Sequence, residues 1–344
     1  MERLYAYDVV RVVAMIFVVA VHALMVVDVS SFYGKLYYES AMVAFISANA
    51  LFFLMSGKFN IRTRKNDADV KLYYLRRFRG FLLPIFVFFL VRTMYEAFPF
   101  ECGLVQFVQD YAKNTIGVLG HTEYWFVFTL FGFLVVAPFL GKMLDRLNGF
   151  ECGVFVGIGL VYNFIVVAAS NLGVDFSWGY LFSGFALTFC MGAVVERLVN
   201  TKRRFAMLVF AGLACFVADV AIRMIGYPEG SLDISPLYTV YAVALYVVIL
   251  RLSRSAKPIK AISFMAKHSF GVYLTHMMVL YTIAGYFHAS GALGSAIAHF
   301  CLTVTAFVLS LLAAVVIDCI AVRPLQLVFD KVTGSLAASL KAAN

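Results

Sequence analysis

The chain has 344 residues, 63% of them hydrophobic and only 14% charged, with a formal net charge of +9. A soluble domain carries about a quarter of its residues charged, so a water-soluble globule is excluded: it would have nowhere to put so much apolar surface. Nucleic-acid binding is not what the positive balance points to, because Lys and Arg cluster in alternate segments between apolar runs, the pattern that orients a membrane protein.

Apolar windows of about 17–25 residues predict an all-α, polytopic integral membrane protein with about ten transmembrane helices in one domain, 1–344. The expected spans are 9–27, 41–57, 80–98, 124–140, 152–170, 178–195, 205–225, 236–250, 270–288 and 296–321. The first window resembles a signal peptide, with Arg3 before it and Val21-His22-Ala23 as a small-residue site. Its apolar stretch runs on to Val27, which favours an uncleaved span.

That first span carries the strongest chemical signal. Asp8, Arg11 and His22 share one face: Asp8 is one turn before Arg11, and His22 is eleven residues beyond Arg11, three turns or about 16 Å along the axis. Met15 and Val18 fill the stripe between them. Ionisable residues inside a span are costly and read as a functional site by default. A histidine is a natural general base near neutral pH. Arg11 needs an anionic partner or a wet cavity; Asp8 as that partner gives a purely structural alternative.

Segment 58–79 follows the second span with eight cations: Lys58, Arg62, Arg64, Lys65, Lys71, Arg76, Arg77 and Arg79. They read as a topology signal that also binds anionic lipid, or as a phosphate-recognition site. Segments 141–151, 196–204 and 251–268 are also basic. The intervening loops carry Asp28, Glu39, Glu101, Asp110, Asp175, Glu229 and Asp233 instead. Both termini are therefore expected in the cytoplasm, as an even number of spans also requires.

His121, Glu123, Tyr124 and Trp125 gather at an outer span end, as an interfacial aromatic belt or a platform for a sugar or other acyl acceptor. The remaining intramembrane charges are expected to pair locally: Arg92 with Glu96, Asp219 with Arg223, Asp318 with Arg323. His276 and His299 stand singly on apolar helices, and His276 is structural unless it faces the His22 cavity. The six cysteines lack metal-ligand spacing and read as small buried hydrophobes; no bound metal is expected. Stretch 325–341 has the pattern of an interfacial amphipathic helix. No Gly-x-Ser-x-Gly, His-Glu-x-x-His or phosphate-binding glycine loop occurs. The residues alone thus define a helical membrane protein with a buried His/Arg site, either an enzyme or a transporter or flippase of a polar lipid-linked substrate. No repeat of two similar halves is evident, which counts against transport.

Four ordered stretches resemble the membrane-bound acyltransferase-3 family of bacterial integral-membrane O-acyltransferases. They are Asp8-x-x-Arg11 with His22; Leu51-Phe-Phe-Leu-Met-Ser56-Gly57, where Lys58 replaces the usual aromatic; Arg76-Arg77-Phe-Arg79-Gly80-Phe-Leu-Leu-Pro84; and Tyr124-Trp125-Phe126 with Ser269-Phe-Gly-Val-Tyr273-Leu-Thr-His276. The resemblance implies transfer of an acyl group, commonly acetyl, from cytoplasmic acyl-CoA to a hydroxyl of a cell-surface glycan or lipid-linked saccharide. It implies a multi-pass cell-membrane location and no permanently bound cofactor. On this reading His22 is the base, Asp8 orients Arg11, and Arg11 neutralises CoA phosphate or stabilises the oxyanion. Arg76, Arg77 or Arg79 holds the donor. Ser56, Glu123, Tyr124, Trp125 and His276 line the acceptor side. The chain resembles the stand-alone form without an added esterase-like domain.

Overall fold

The computed structural model describes residues 5–116, 124–174, 176, 181–226 and 234–342. Fourteen helices account for nearly all of this, and no strand occurs among the described residues. In order they are α1 Tyr5–Ala23, α2 Phe32–Ile46, α3 Ala48–Asn60, α4 Asp67–Arg77, α5 Leu83–Ala97, α6 Leu104–Ile116, α7 Trp125–Leu144, α8 Gly149–Asn171, α9 Gly184–Leu198, α10 Lys202–Met224, α11 Pro236–Ser253, α12 Lys260–Ile283, α13 Gly291–Ile317 and α14 Arg323–Ala342. An apolar chain in lipid must satisfy its backbone internally, and helices do so within each segment.

Among the described residues, eight helical stretches are long and apolar enough to cross a membrane. The other two expected spans meet different limits. The window 178–195 yields α9, only 15 residues long. The window 270–288 yields the 24-residue α12, whose apolar character is interrupted by Lys267, His268, Ser269 and His276. Three boundaries also shift. The second span is two helices, α2 and α3, broken only at Ser47. The third begins at Asp67, because a π-helical turn, Phe78–Leu82, carries α4 directly into α5. The amphipathic 325–341 stretch is helical, but a second π-turn, Asp318–Val322, makes it the continuation of the last span. It docks on α4: Arg79 grips Asp330 at 2.6 and 2.7 Å, Gln326 donates to the Arg79 carbonyl, and Phe78 stacks on Phe329.

α1 lies at the centre of the bundle, buried along Val10, Ala14, Met15, Val18 and Val19. α12 runs beside it in the same direction. Ser263 donates to Asp8 near their starts, and the rings of His22 and His276 meet 14 and 13 residues later, at 5.2 Å. α3 crosses α9 at van der Waals distance through two glycines. A Cβ on Gly57 would lie 1.8 Å from the Phe189 carbonyl oxygen, and one on Gly192 would lie 1.9 Å from that of Leu54. Small residues at such crossings let two backbones approach. Gly192→Val should therefore destabilise the protein by about 1–3 kcal/mol, the range for overpacking, because a backbone cannot step aside. Thermal unfolding in detergent checks this against Gly157→Ala, whose Cβ would meet nothing within 4 Å.

A tertiary partner joins one of the expected local ion pairs and replaces another. Arg223, which attracts Asp219 one turn before it, also meets Glu39 of α2 at 2.5 Å. Asp318 binds His268 at 2.6 Å rather than Arg323. Arg92 and Glu96 do pair, at 2.5 Å. All six cysteines are free, but only Cys152 and Cys190 are buried; Cys301 on α13 and Cys319 in the second π-turn are exposed, contrary to the reading of buried hydrophobes.

Candidate active site

The site is built from α1, α3, the α4–α5 junction, α7 and α12. Together they enclose a cavity of about 610 Å³. Arg11 enters it from α1, Ser56 and Asn60 from α3, Arg77 from the last turn of α4, and Lys267, Ser269 and Tyr273 from α12; Phe126 and Leu130 of α7 close the apolar side. Among the described residues, three cations and no carboxylate line it. Asp8, 2% exposed, stands behind Arg11 at 3.6 Å and also accepts from Ser263. Asp8 is thus held from two helices and in turn steadies Arg11, while the guanidinium lines the cavity.

The three arginines around the π-turn separate by geometry. Arg77 lines the cavity, and its Nε is buried without a hydrogen bond. Arg79 is committed to Asp330, and Arg76 is exposed. A π-turn inserts one residue into the helical ladder, so a face read from straight α-periodicity does not carry through it. Lys58, at the position where the resemblance expects an aromatic, bonds Glu196 of α9 at 2.8 Å, and Glu196 also accepts from Tyr7.

From the cavity wall a run of rings leads along α12 into the bundle. Tyr273 lies 5.5 Å from His276, and His276 lies 5.2 Å from His22. His276 is fully buried. Its Nδ1 sits 2.6 Å from the Tyr273 carbonyl oxygen. A carbonyl only accepts, so Nδ1 carries the proton and Nε2 keeps its lone pair. That Nε2 is buried without a partner. The arrangement is a pair of imidazoles on parallel helices, one with an open nitrogen, with His22 about three turns along α1 from Arg11. His299, by contrast, is saturated: Nε2 bonds the Ala20 carbonyl and Nδ1 the Tyr37 hydroxyl. It holds helices together.

Of the expected acceptor platform, Tyr124 and Trp125 are described. His121 and Glu123 lie outside the described residues. Tyr124 is turned into the core, 1% exposed, and its hydroxyl donates to the Leu274 carbonyl at 2.8 Å. Trp125 packs on Phe185 at 5.0 Å. Ser56 lines the cavity with Arg11, and His276 joins His22. Sequence reasoning missed Lys267 and Asn60. Lys267 was visible only as one of several loop cations, and nothing local marked Asn60.

An all-helical membrane bundle with a cation-lined cavity and a buried histidine pair defines a class that moves or modifies a charged substrate within the bilayer. The family comparison decides which. The Acyl_transf_3 model, described as an acyltransferase domain, matches residues 4–319, so the chain belongs to that family and is a membrane acyltransferase. That settles the choice between enzyme and transporter. No curated protein and no solved structure matches the chain.

Proposed function

We propose that this acyltransferase moves an acyl group, acetyl foremost, from cytoplasmic acyl-CoA to a hydroxyl of a cell-surface glycan or lipid-linked saccharide at the cell membrane. The observation that carries the donor reading is the cavity with Arg11, Arg77 and Lys267 and no carboxylate among the described residues. CoA brings several phosphate charges, which such a cluster neutralises. Arg11 takes the phosphate role rather than the oxyanion role, because it lies about 16 Å along the helix from His22. The extended pantetheine arm spans a distance of that order and would follow α1 and α12 to the histidine pair. There His22 removes the proton from the acceptor hydroxyl, whose oxygen attacks the thioester carbonyl. The tetrahedral intermediate collapses, the carbon–sulfur bond breaks, and the CoA thiolate leaves with the proton returned from His22. The ester is the second product, and no covalent acyl-enzyme is required.

Purified protein incubated with labelled acetyl-CoA should release CoA slowly and faster once an acceptor is present. Folded protein that neither binds CoA nor releases it would overturn the donor assignment. The orientation follows from the Lys/Arg asymmetry: both termini and segment 58–79 face the cytoplasm. A single cysteine at Asn66, in a background from which all six native cysteines are removed, should resist an impermeant thiol reagent in intact cells and react after permeabilisation. Reaction in intact cells would invert the topology.

A further inference from the structure

A second concavity, also about 610 Å³, opens on the outside of the bundle beside the cavity. One face of α4 forms its floor: Lys71, Tyr74, Leu75 and Phe78 follow the spacing i, i+3, i+4, i+7. Phe131, Leu134 and Val135 of α7 form the facing wall, and Tyr74 ties the two helices by donating to the Val135 carbonyl. Phe329 of α14 closes one end, held by its stack on Phe78. Phe78, Phe131 and Val135 are 37–41% exposed, so the lining faces outward rather than into the core.

Among the described residues, the charged side chains on the groove are Lys71 and Arg77. Arg77 Nε lacks a hydrogen-bond partner. The groove lies where the polar start of a 31-residue helix passes into its apolar half, which is the level of the lipid headgroups. From Lys71 to Leu82 the helix rises about 16 Å, enough for most of one acyl chain.

We propose that this groove is a binding site for one anionic phospholipid, with its phosphate on Lys71 and Arg77 and one chain along Tyr74, Leu75, Phe78 and Val135. Charge complementarity selects this occupant over a zwitterionic lipid, since each basic group near the membrane surface favours anionic lipid by about 1 kcal/mol. Arg77 also lines the donor cavity, so the lipid would set that side chain's position. The site does not depend on the donor being acyl-CoA.

Native mass spectrometry of the delipidated protein in detergent, titrated with phosphatidylglycerol or phosphatidylcholine, tests the site. The first phosphatidylglycerol should bind on the order of 10-fold tighter than phosphatidylcholine. Lys71→Gln should erase most of that preference. Val135→Trp, which fills the groove but leaves both cations, should weaken phosphatidylglycerol binding as well. Both substitutions fall on exposed positions, and a monodisperse elution profile verifies folding. Equal retention of the two lipids by the wild type would overturn the proposal, as would a preference that survives both substitutions. Displacement of phosphatidylglycerol by palmitoyl-CoA but not by CoA would also overturn it, assigning the groove to the donor's acyl chain instead.

Discussion

His22→Ala is expected to lower acyl transfer by on the order of 10²-fold or more, the scale for losing a general base, while CoA affinity and membrane insertion stay near normal. His22 sits about three turns beyond Arg11, so its removal leaves the donor's phosphate contacts in place. The structural alternative is a packing histidine, and it predicts the opposite split: loss of stability with activity per folded molecule retained. His276 sharpens the comparison. Its Nε2 is unpartnered and its ring lies 5.2 Å from His22, so His276→Gln should also reduce transfer, through the lost imidazole neighbour. Turnover measured per correctly folded molecule, with CoA binding determined in parallel, decides the matter. Near-normal turnover in both variants would return the pair to a packing role.

Arg77→Gln combined with Lys267→Gln should weaken CoA binding by on the order of 10²-fold. Each lost charge-assisted contact is worth about 1.5–3 kcal/mol, discounted here because Lys267 is exposed and screened. The weakening should shrink as salt rises. Arg79→Gln is the matched control. It removes a cation two residues away, but one bonded to Asp330 on α14, so it should loosen the α4–α14 contact and leave CoA affinity close to wild type. Arg11→Lys should fail even though charge is kept, because lysine cannot reproduce a planar guanidinium held against Asp8. Isothermal titration with CoA at two salt concentrations reads all three variants against the wild type. If the Arg77/Lys267 variant binds as well as wild type, the cavity is not the donor site.

The helical membrane class was legible in the sequence because it is a local property: a run of apolar residues needs no partner to declare itself. The face shared by Asp8, Arg11 and His22 was legible for the same reason, since about 3.6 residues per turn fixes relative directions along one straight helix. Where that periodicity breaks, the reading fails. Arg76 and Arg77 precede a π-turn, Phe78–Leu82, and Arg79 lies within it, and only the structure separates a cavity residue from a helix tie and an exposed cation. Local charge rules were incomplete where a neighbouring helix offered a partner. Asp219 sits four residues before Arg223 and attracts it, but Glu39 also reaches the guanidinium from α2. Asp318 was expected to hold Arg323, but His268 of α12 comes within 2.6 Å.

By itself, then, the sequence determined the solvent the protein lives in, the number of apolar runs to within two, and the one helix whose buried face carries chemistry. Tertiary structure alone decided what that face meets. Running α12 parallel to α1 pairs Asp8 with Ser263 at one end and His22 with His276 at the other, and it places Lys267 opposite Arg11 around a common cavity. No local pattern encodes this, because lipid-facing and bundle-facing sides of a membrane helix are both apolar. Which side turns inward is set by close packing at sites such as Gly57 and Gly192 and by the need of buried polar groups to find partners on other helices.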